Sequence, residues 1–389
     1  RSTRRAYRPR SGAGRPRYRG GVIPVDERPT VPVDVSHLLP VVAAHGLRGA
    51  PSFPDELPVT LSSSLVTAAR SSRLTGPLLA AVRAGSIGLS DEAESLLVDA
   101  HREALIWCLQ LEQRLLEVHD LLERADVPCV VVKGPAIAHL DLADPAERTW
   151  ADVDILVPPS HIDRAVRVLL ASGGVRPYAE PRPGWDRRFA KSVEVRAADQ
   201  IEVDVHRSLA DGVYGERIPL DHLHQTTEPF ELGGQTLRAL SPPARVVHAA
   251  YHAVVGSMTP TWSNRRDLAR YFTERSVPVA AVVEEARLWR GEAVLWAAVD
   301  LVRRDLQVDA GEWYDWADAT VVLPRERVLV SRPRHGDAGL GRARLDLVRE
   351  LPSLGDRVAY LRALAFPVGA KDSAFTRYRR WLPHVFRRG

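Results

Sequence analysis

Asp152-Val153-Asp154-Ile155-Leu156-Val157 is the stretch on which the reading of this chain turns. A short run of aliphatic and β-branched residues is a strand, and along a strand successive side chains leave on opposite faces. Asp152 and Asp154 therefore share one face, while Val153 and Ile155 enter a core. Two carboxylates one strand repeat apart can bind divalent cations jointly, and magnesium favours carboxylates combined with substrate phosphates. Taken alone, a D-x-D is more often a solvated strand face. A third carboxylate shifts the balance, because Ile201-Glu202-Val203-Asp204-Val205 again sets an acid between β-branched residues. Three carboxylates on neighbouring strands repel one another unless cations neutralise them, which is the layout of a two-metal phosphoryl-transfer site.

Working outward, Pro128-Cys129-Val130-Val131-Val132 reads as a buried strand, followed by Lys133-Gly134-Pro135 and a short apolar helix at 136–140. A glycine at a strand-to-helix turn lets backbone approach a phosphate at a helix N-terminus. A plain tight turn explains it equally well. Ser160 is expected to cap a helix that Gly173-Gly174 ends. Strands are expected at 193–195 and 201–205, and Gly233-Gly234 marks a hairpin. Upstream, Ser90 caps Asp91 and Glu92. Leu97, Ala100, Ala104, Cys108, Leu111, Leu115, Val118 and Leu122 then recur at helical spacing, predicting one helix over about 91–125. Ser241-Pro242 opens further helices near 242–255, 264–275, 278–289 and 292–305. The expected organisation is a disordered tail at 1–30, a helical region at 36–126, an α/β core at 127–240 and a second helical region at 241–389. No internal repeat is visible.

The 389 residues carry a net charge of +4, but residues 1–20 hold eight arginines and no acid. Removing those eight charges leaves the rest of the chain at −4, so the basic balance belongs to the tail and implies no polyanion-binding body. The tail itself reads as a poorly ordered segment, or as an arm contacting RNA or another polyanion. Only three of the 53 basic residues are lysines: Lys133, Lys191 and Lys371. The two cysteines, Cys108 and Cys129, form no CxxC pair, which excludes a disulfide framework or zinc ribbon and points to the cytoplasm. No apolar run reaches a membrane span, and no secretory signal is expected. The sole methionine is Met258, so the chain is expected to be a fragment or processed form. The arginine- and aromatic-rich segment at 377–388 is expected to be a helix end packed on the body.

Lys133-Gly134-Pro135-Ala136-Ile137, Arg148-x-x-x-Asp152-Val153-Asp154-Ile155-Leu156-Val157 and Glu202-Val203-Asp204-Val205-His206 together resemble an uncharacterised nucleotidyltransferase-like family of the polymerase-β-like superfamily. Leu240-Ser241-Pro242, Val246-Val247-His248-Ala249-Ala250-Tyr251-His252 and Arg266-Asp267-Leu268-Ala269 extend the likeness, which covers about 115–305. The resemblance implies an α+β fold: a small mixed β-sheet nucleotidyltransferase core flanked by N- and C-terminal helical regions. It implies that Asp152 and Asp154 hold magnesium or manganese and that Asp204 completes the site and helps deprotonate an acceptor hydroxyl. Gly134 would sit at the triphosphate turn, with Lys133 and Arg148 neutralising phosphate charge. The superfamily usually has Gly-Ser at this turn, where Pro135 offers neither hydroxyl nor N–H. Arg207 stands where the family has Trp.

His206 should share the face of Asp204, touching metal-bound water or the acceptor, or serving behind them. His248 and His252 lie four apart on a helix, but the run His-Ala-Ala-Tyr-His lacks the zincin glutamate. They are expected to pack in the core, His252 behind the site with Asp267. The function expected is transfer of an NMP group from an NTP to a hydroxyl, releasing pyrophosphate. The acceptor is a small molecule, peptide, protein or RNA. Two rival readings are a non-catalytic nucleotide- or partner-binding member, and a toxin-like transferase modifying RNA or protein.

Overall fold

The two Asp-bearing strands lie side by side. β1 (Val130–Val131), β2 (Val153–Leu156), β3 (Ser192–Arg196), β4 (Glu202–His206), β5 (Thr227–Leu232) and β6 (Gln235–Leu240) form one sheet in the order β3-β4-β2-β1-β6-β5. The sheet is mixed: β2 runs parallel to β4 and β1 parallel to β6, while the β1/β2, β3/β4 and β5/β6 pairs are antiparallel. The computed structural model describes residues 33–54, 56–180, 182–256, 260–274, 276–331 and 346–365. The arginine-rich tail at 1–30 and the segment at 377–388 lie outside them.

Alternation gives the sheet two faces. Val131, Val153, Ile155, Val193, Val195, Val203 and Val205 pack on one side. They meet Cys108, Leu111, Leu115, Val118 and Leu122 of α5 (Asp91–Arg124) and Ala165, Val166 and Leu169 of α7 (Ile162–Ala171). Ile155 is fully buried, and its truncation to Ala would cost about 2–5 kcal/mol. Val130, Val132, Leu156 and Leu240 join a second cluster on the other side. That cluster continues through α1 (Val33–Ser36), α2 (Leu39–Ala44), α3 (Val59–Ser71) and α4 (Thr75–Arg83) upstream. Downstream it includes α11 (Pro242–Tyr251), α12 (Trp262–Glu274), α13 (Val279–Leu288), α14 (Glu292–Leu306) and α15 (Glu312–Ala319).

α5 belongs to both clusters. Ala93 and Leu97 serve the helical one, and Cys108 to Leu122 serve the sheet. With 34 residues it is about 50 Å long, and it starts as its sequence dictates. Ser90 Oγ accepts from the Ala93 N–H, and Asp91, Glu92 and Glu94 occupy the dipole's positive end. Gly233 and Gly234 both take positive φ in the two-residue hairpin between β5 and β6.

Two local expectations change. Ser160 does not cap α7, because Pro158 and Pro159 lead into a 3-10 turn, Pro159–His161, and Ser160 Oγ bonds His161 instead. The first strand pairs at Val130–Val131 only; Val132 still donates to Asp154 O, but Lys133 then bends the chain away.

Candidate active site

Asp154 and Asp204 are paired in register on the parallel strands β2 and β4, so both side chains leave on the same face. His206 follows two residues later on β4 and faces the same way, opposite Leu156. One ligand atom from each of Asp154, Asp204 and His206 lies within 4.8 Å of the others. Asp152, one strand repeat before Asp154, stands just ahead of β2. Asp154 is 3% exposed, while Asp152 and Asp204 are half-buried. The structure thus brings together Asp154, Asp204 and His206, as the alternation on β4 predicts for His206, while Asp152 is not in that cluster and acts on Asp154 through its charge.

Asp154 Oδ1 is the centre of this group. It accepts from Lys133 Nζ at 2.8 Å and from His206 Nε2 at 2.6 Å. His206 Nε2 is also 3.9 Å from Asp204 Oδ2, while its buried Nδ1 has no hydrogen-bond partner. Burial alone would push the Asp154 carboxyl up; the Lys133 charge and the His206 bond outweigh it and hold Asp154 well below the usual range. The Lys133 ammonium is likewise buried, yet Asp154, Asp152 and Asp204 keep it charged and raise its pKa. Burial and the Asp154 charge push Asp152 up. Burial, Glu194, Asp204 and Asp152 push Glu202, on the same face, up to about 7. Carboxylates therefore outnumber their cationic partners here.

Lys133 reaches Asp154 from a strained backbone, with φ 58° and ψ −136°. It precedes α6 (Gly134–Asp141), and its carbonyl accepts from the Ile137 N–H. The smallness of Gly134 has a packing reason, since a Cβ there would lie 3.1–3.2 Å from the Trp150 ring. Arg148 stands behind this turn. Its Nε and Nη2 bond both oxygens of Asp267 on α12 at 3.0–3.2 Å, and its Nη1 donates to Gly134 O at 3.2 Å. The guanidinium thus pins the turn to α12, and Asp267 is held by Arg148 rather than by the histidines. This pairing spans 119 residues of sequence and had no local signal.

His248 lies on α11 and His252 starts the π-helical turn His252–Gly256 that continues it. The two rings are 6.5 Å apart. Burial, then the Lys133 charge, holds both imidazoles well below their usual pKa, so they are neutral. Lys191 acts on both in the same direction. It lies just before β3, its carbonyl fixed by the Arg207 and Ser208 N–H groups, and among the described residues its ammonium has no ion pair. Lys191, which the sequence reading did not single out, therefore acts on the same two histidines as Lys133. Arg207 is structural: it bonds Ala190 O and Glu216 at 2.7 Å each.

Carboxylates in register on a mixed sheet, joined by a histidine and with a lysine-bearing turn beside them, form a group that can hold a divalent cation. Residues 61–307, well over half the chain, match the family described as "Uncharacterised nucleotidyltransferase", and the chain belongs to that family. No curated protein matches. Among solved structures, the solution structure of the antibiotic-resistance factor ANT(2'')-Ia is similar at 15% identity and TM-score 0.32, covering 48% of this chain and 94% of that one. An antigenic nucleotidyltransferase-like protein from Paracoccidioides brasiliensis is similar at 12% identity and TM-score 0.32, covering 58% and 96%. No described helix is long and apolar enough to cross a membrane.

Proposed function

We propose that the protein is a metal-dependent nucleotidyltransferase that moves an NMP group from an NTP, ATP included, to a hydroxyl of an acceptor. The acceptor oxygen forms a bond to the α-phosphorus, the bond to the β-phosphate oxygen breaks, and pyrophosphate leaves. The observation that carries this reading is the in-register pair Asp154 and Asp204, with Asp152 one repeat away, in a chain of this family. Two aspartates and a histidine with ligand atoms within 4.8 Å fit a divalent ion. Two magnesium or manganese ions, held by Asp152, Asp154 and Asp204, would neutralise charge on the attacking and leaving oxygens. Asp204, the more open of the paired carboxylates, accepts the acceptor's proton. Lys133 and Lys191 offer cations to the phosphates, and Arg148 positions the Gly134 turn. In this reading 127–240 is the catalytic core, with helical regions at 36–126 and 241–389 around it. A reduced, cytoplasmic setting agrees with two cysteines whose thiols burial pushes up to about 11 and about 12.

The test is a transfer reaction with each NTP labelled at the α-phosphate, magnesium and host lysate, run on wild type and Asp154→Asn. Label transferred by wild type alone is expected, and its migration identifies the acceptor class. Equal transfer by Asp154→Asn overturns the reading. One observation favours the rival, non-catalytic reading: Lys133 and His206 already satisfy Asp154 Oδ1. Nucleotide binding with no transfer from any NTP would establish it.

A further inference from the structure

We infer that Lys133 is a built-in placeholder for a metal ion at Asp154, which ties cation binding to nucleotide binding; this rests on the reading of the site as metal-dependent. The ammonium sits 2.8 Å from Asp154 Oδ1, an oxygen that also accepts from His206 at 2.6 Å. A magnesium ion on the same oxygen would lie at about 2.0–2.1 Å. A metal ion and the ammonium on one oxygen repel each other, so each weakens the binding of the other.

The arrangement carries a local backbone cost. At φ 58° and ψ −136° glycine is the comfortable residue, yet a lysine stands there. The strain roots the lysine stem at the β1–α6 turn, aimed across the strands at the carboxylates. Lys133 is 14% exposed at its side chain, and its ammonium is ion-paired to Asp154. With Asp152 and Asp204 engaged by the same metal ions, an ammonium expelled from Asp154 needs another anion within reach. The phosphates of an incoming nucleotide supply it. A metal arriving alone must displace Lys133 without compensation, whereas a metal arriving with nucleotide gives the lysine a new partner. Reciprocity then requires nucleotide to bind better with metal by the same factor.

The test measures free Mn²⁺ by its EPR signal during titration of wild type, Lys133→Met and Lys133→Gly. Glycine removes the ammonium and relieves the backbone, so it keeps the test alive should methionine disturb folding. Both variants are expected to bind Mn²⁺ alone at least about tenfold more tightly than wild type, the equivalent of one charge-assisted hydrogen bond removed from competition. The further tightening produced by an α,β-methylene NTP, which cannot be cleaved at the α-phosphate, shrinks by the same factor. Affinity for Mn²⁺ alone that is unchanged or weaker in both variants overturns the inference.

A second measurement uses wild type only. With three lysines in the chain, ¹⁵N-lysine labelling gives three ammonium signals. The Lys133 signal is expected to shift with Mg²⁺ plus the methylene nucleotide. Saturating Mg²⁺ that leaves it unmoved, with and without nucleotide, shows both cations sharing Asp154 and overturns the inference. Loss of α-phosphate transfer with these binding results intact would refute the enzyme reading instead.

Discussion

Removing Asp267 separates two roles for Arg148. Its guanidinium bonds both Asp267 oxygens and Gly134 O, and the two side chains are 14% and 13% exposed. Asp267→Ala leaves a largely buried cation with one carbonyl partner. Breaking a buried pair this way costs about 3–5 kcal/mol, or about 4–6 °C in Tm for a chain of this size. Arg148→Met should cost a similar amount. The double variant Arg148→Met/Asp267→Ala should cost well below the sum, because neither charge is then stranded; a coupling of about 2 kcal/mol is expected from contacting groups. Urea unfolding at pH 7, followed by circular dichroism and fluorescence, measures all four corners of the cycle. If Asp267→Ala costs less than about 1 kcal/mol, as an exposed pair would, Arg148 is not committed to the clamp. The direct phosphate contact expected from the sequence would then be restored.

Gly134→Ala should lose about 1–3 kcal/mol through overpacking against the Trp150 ring; Gly134→Ala with Trp150→Leu should recover most of it in the same denaturation assay, and no recovery refutes the packing explanation. Mg²⁺ with a non-cleavable NTP at about one hundred times their dissociation constant should stabilise wild type by about 2.7 kcal/mol. Thermal shift should show that gain lost in Asp154→Asn, and an equal gain would place the site elsewhere. Asp186 gives a pH test. Burial pushes its carboxyl up to about 6 despite the Arg176 pair, so the folded state holds a proton that the unfolded state has released above about pH 4. Its stabilising contribution is therefore full below pH 4 and lost as pH rises through 6. The stability of wild type relative to Asp186→Asn should fall from pH 4 to pH 7, and a rise would show the ion pair dominating.

Much of the fold was legible because long elements carry redundant signals. α5 has a cap, acids in its first turn and eight apolar positions in phase. β2 and β4 have strict alternation, and the Gly233-Gly234 hairpin needs positive φ twice. The short helices α9 (Gly212–Arg217) and α10 (Leu220–Gln225) carry fewer than two turns each and so no readable period. The geometry of the candidate site was legible where it is local to a strand, at Asp154, Asp204 and His206. It was not legible where the partner is distant. Nothing near Arg148 names Asp267, nothing near Gly134 says that Trp150 fills its side-chain space, and no propensity places Lys133 in left-handed backbone.

The alternation that builds the core also builds the conflict in the site. Val153 and Ile155 are anchored under α5 together with Val203 and Val205. A one-residue slip of β2 would bury Asp154 among them and expose the valine. Burial on one face therefore fixes the Asp154–Asp204 pairing on the other, as rigidly as the core itself. Such rigid carboxylates cannot move apart to relieve repulsion, so whenever no metal is bound they need a resident cation that can still leave. Arginine, the chain's prevailing base, would bind Asp154 by two parallel bonds and stay. Lysine is a point charge on a flexible stem and can change partner. In a chain with three lysines among 53 basic residues, this explains why one of them is here. Lys133→Arg should keep the fold and its charge yet bind Mn²⁺ with nucleotide at least about tenfold more weakly than wild type, read by the same EPR titration. Binding as tight as wild type would show that charge alone, and not the ability to let go, is what position 133 supplies.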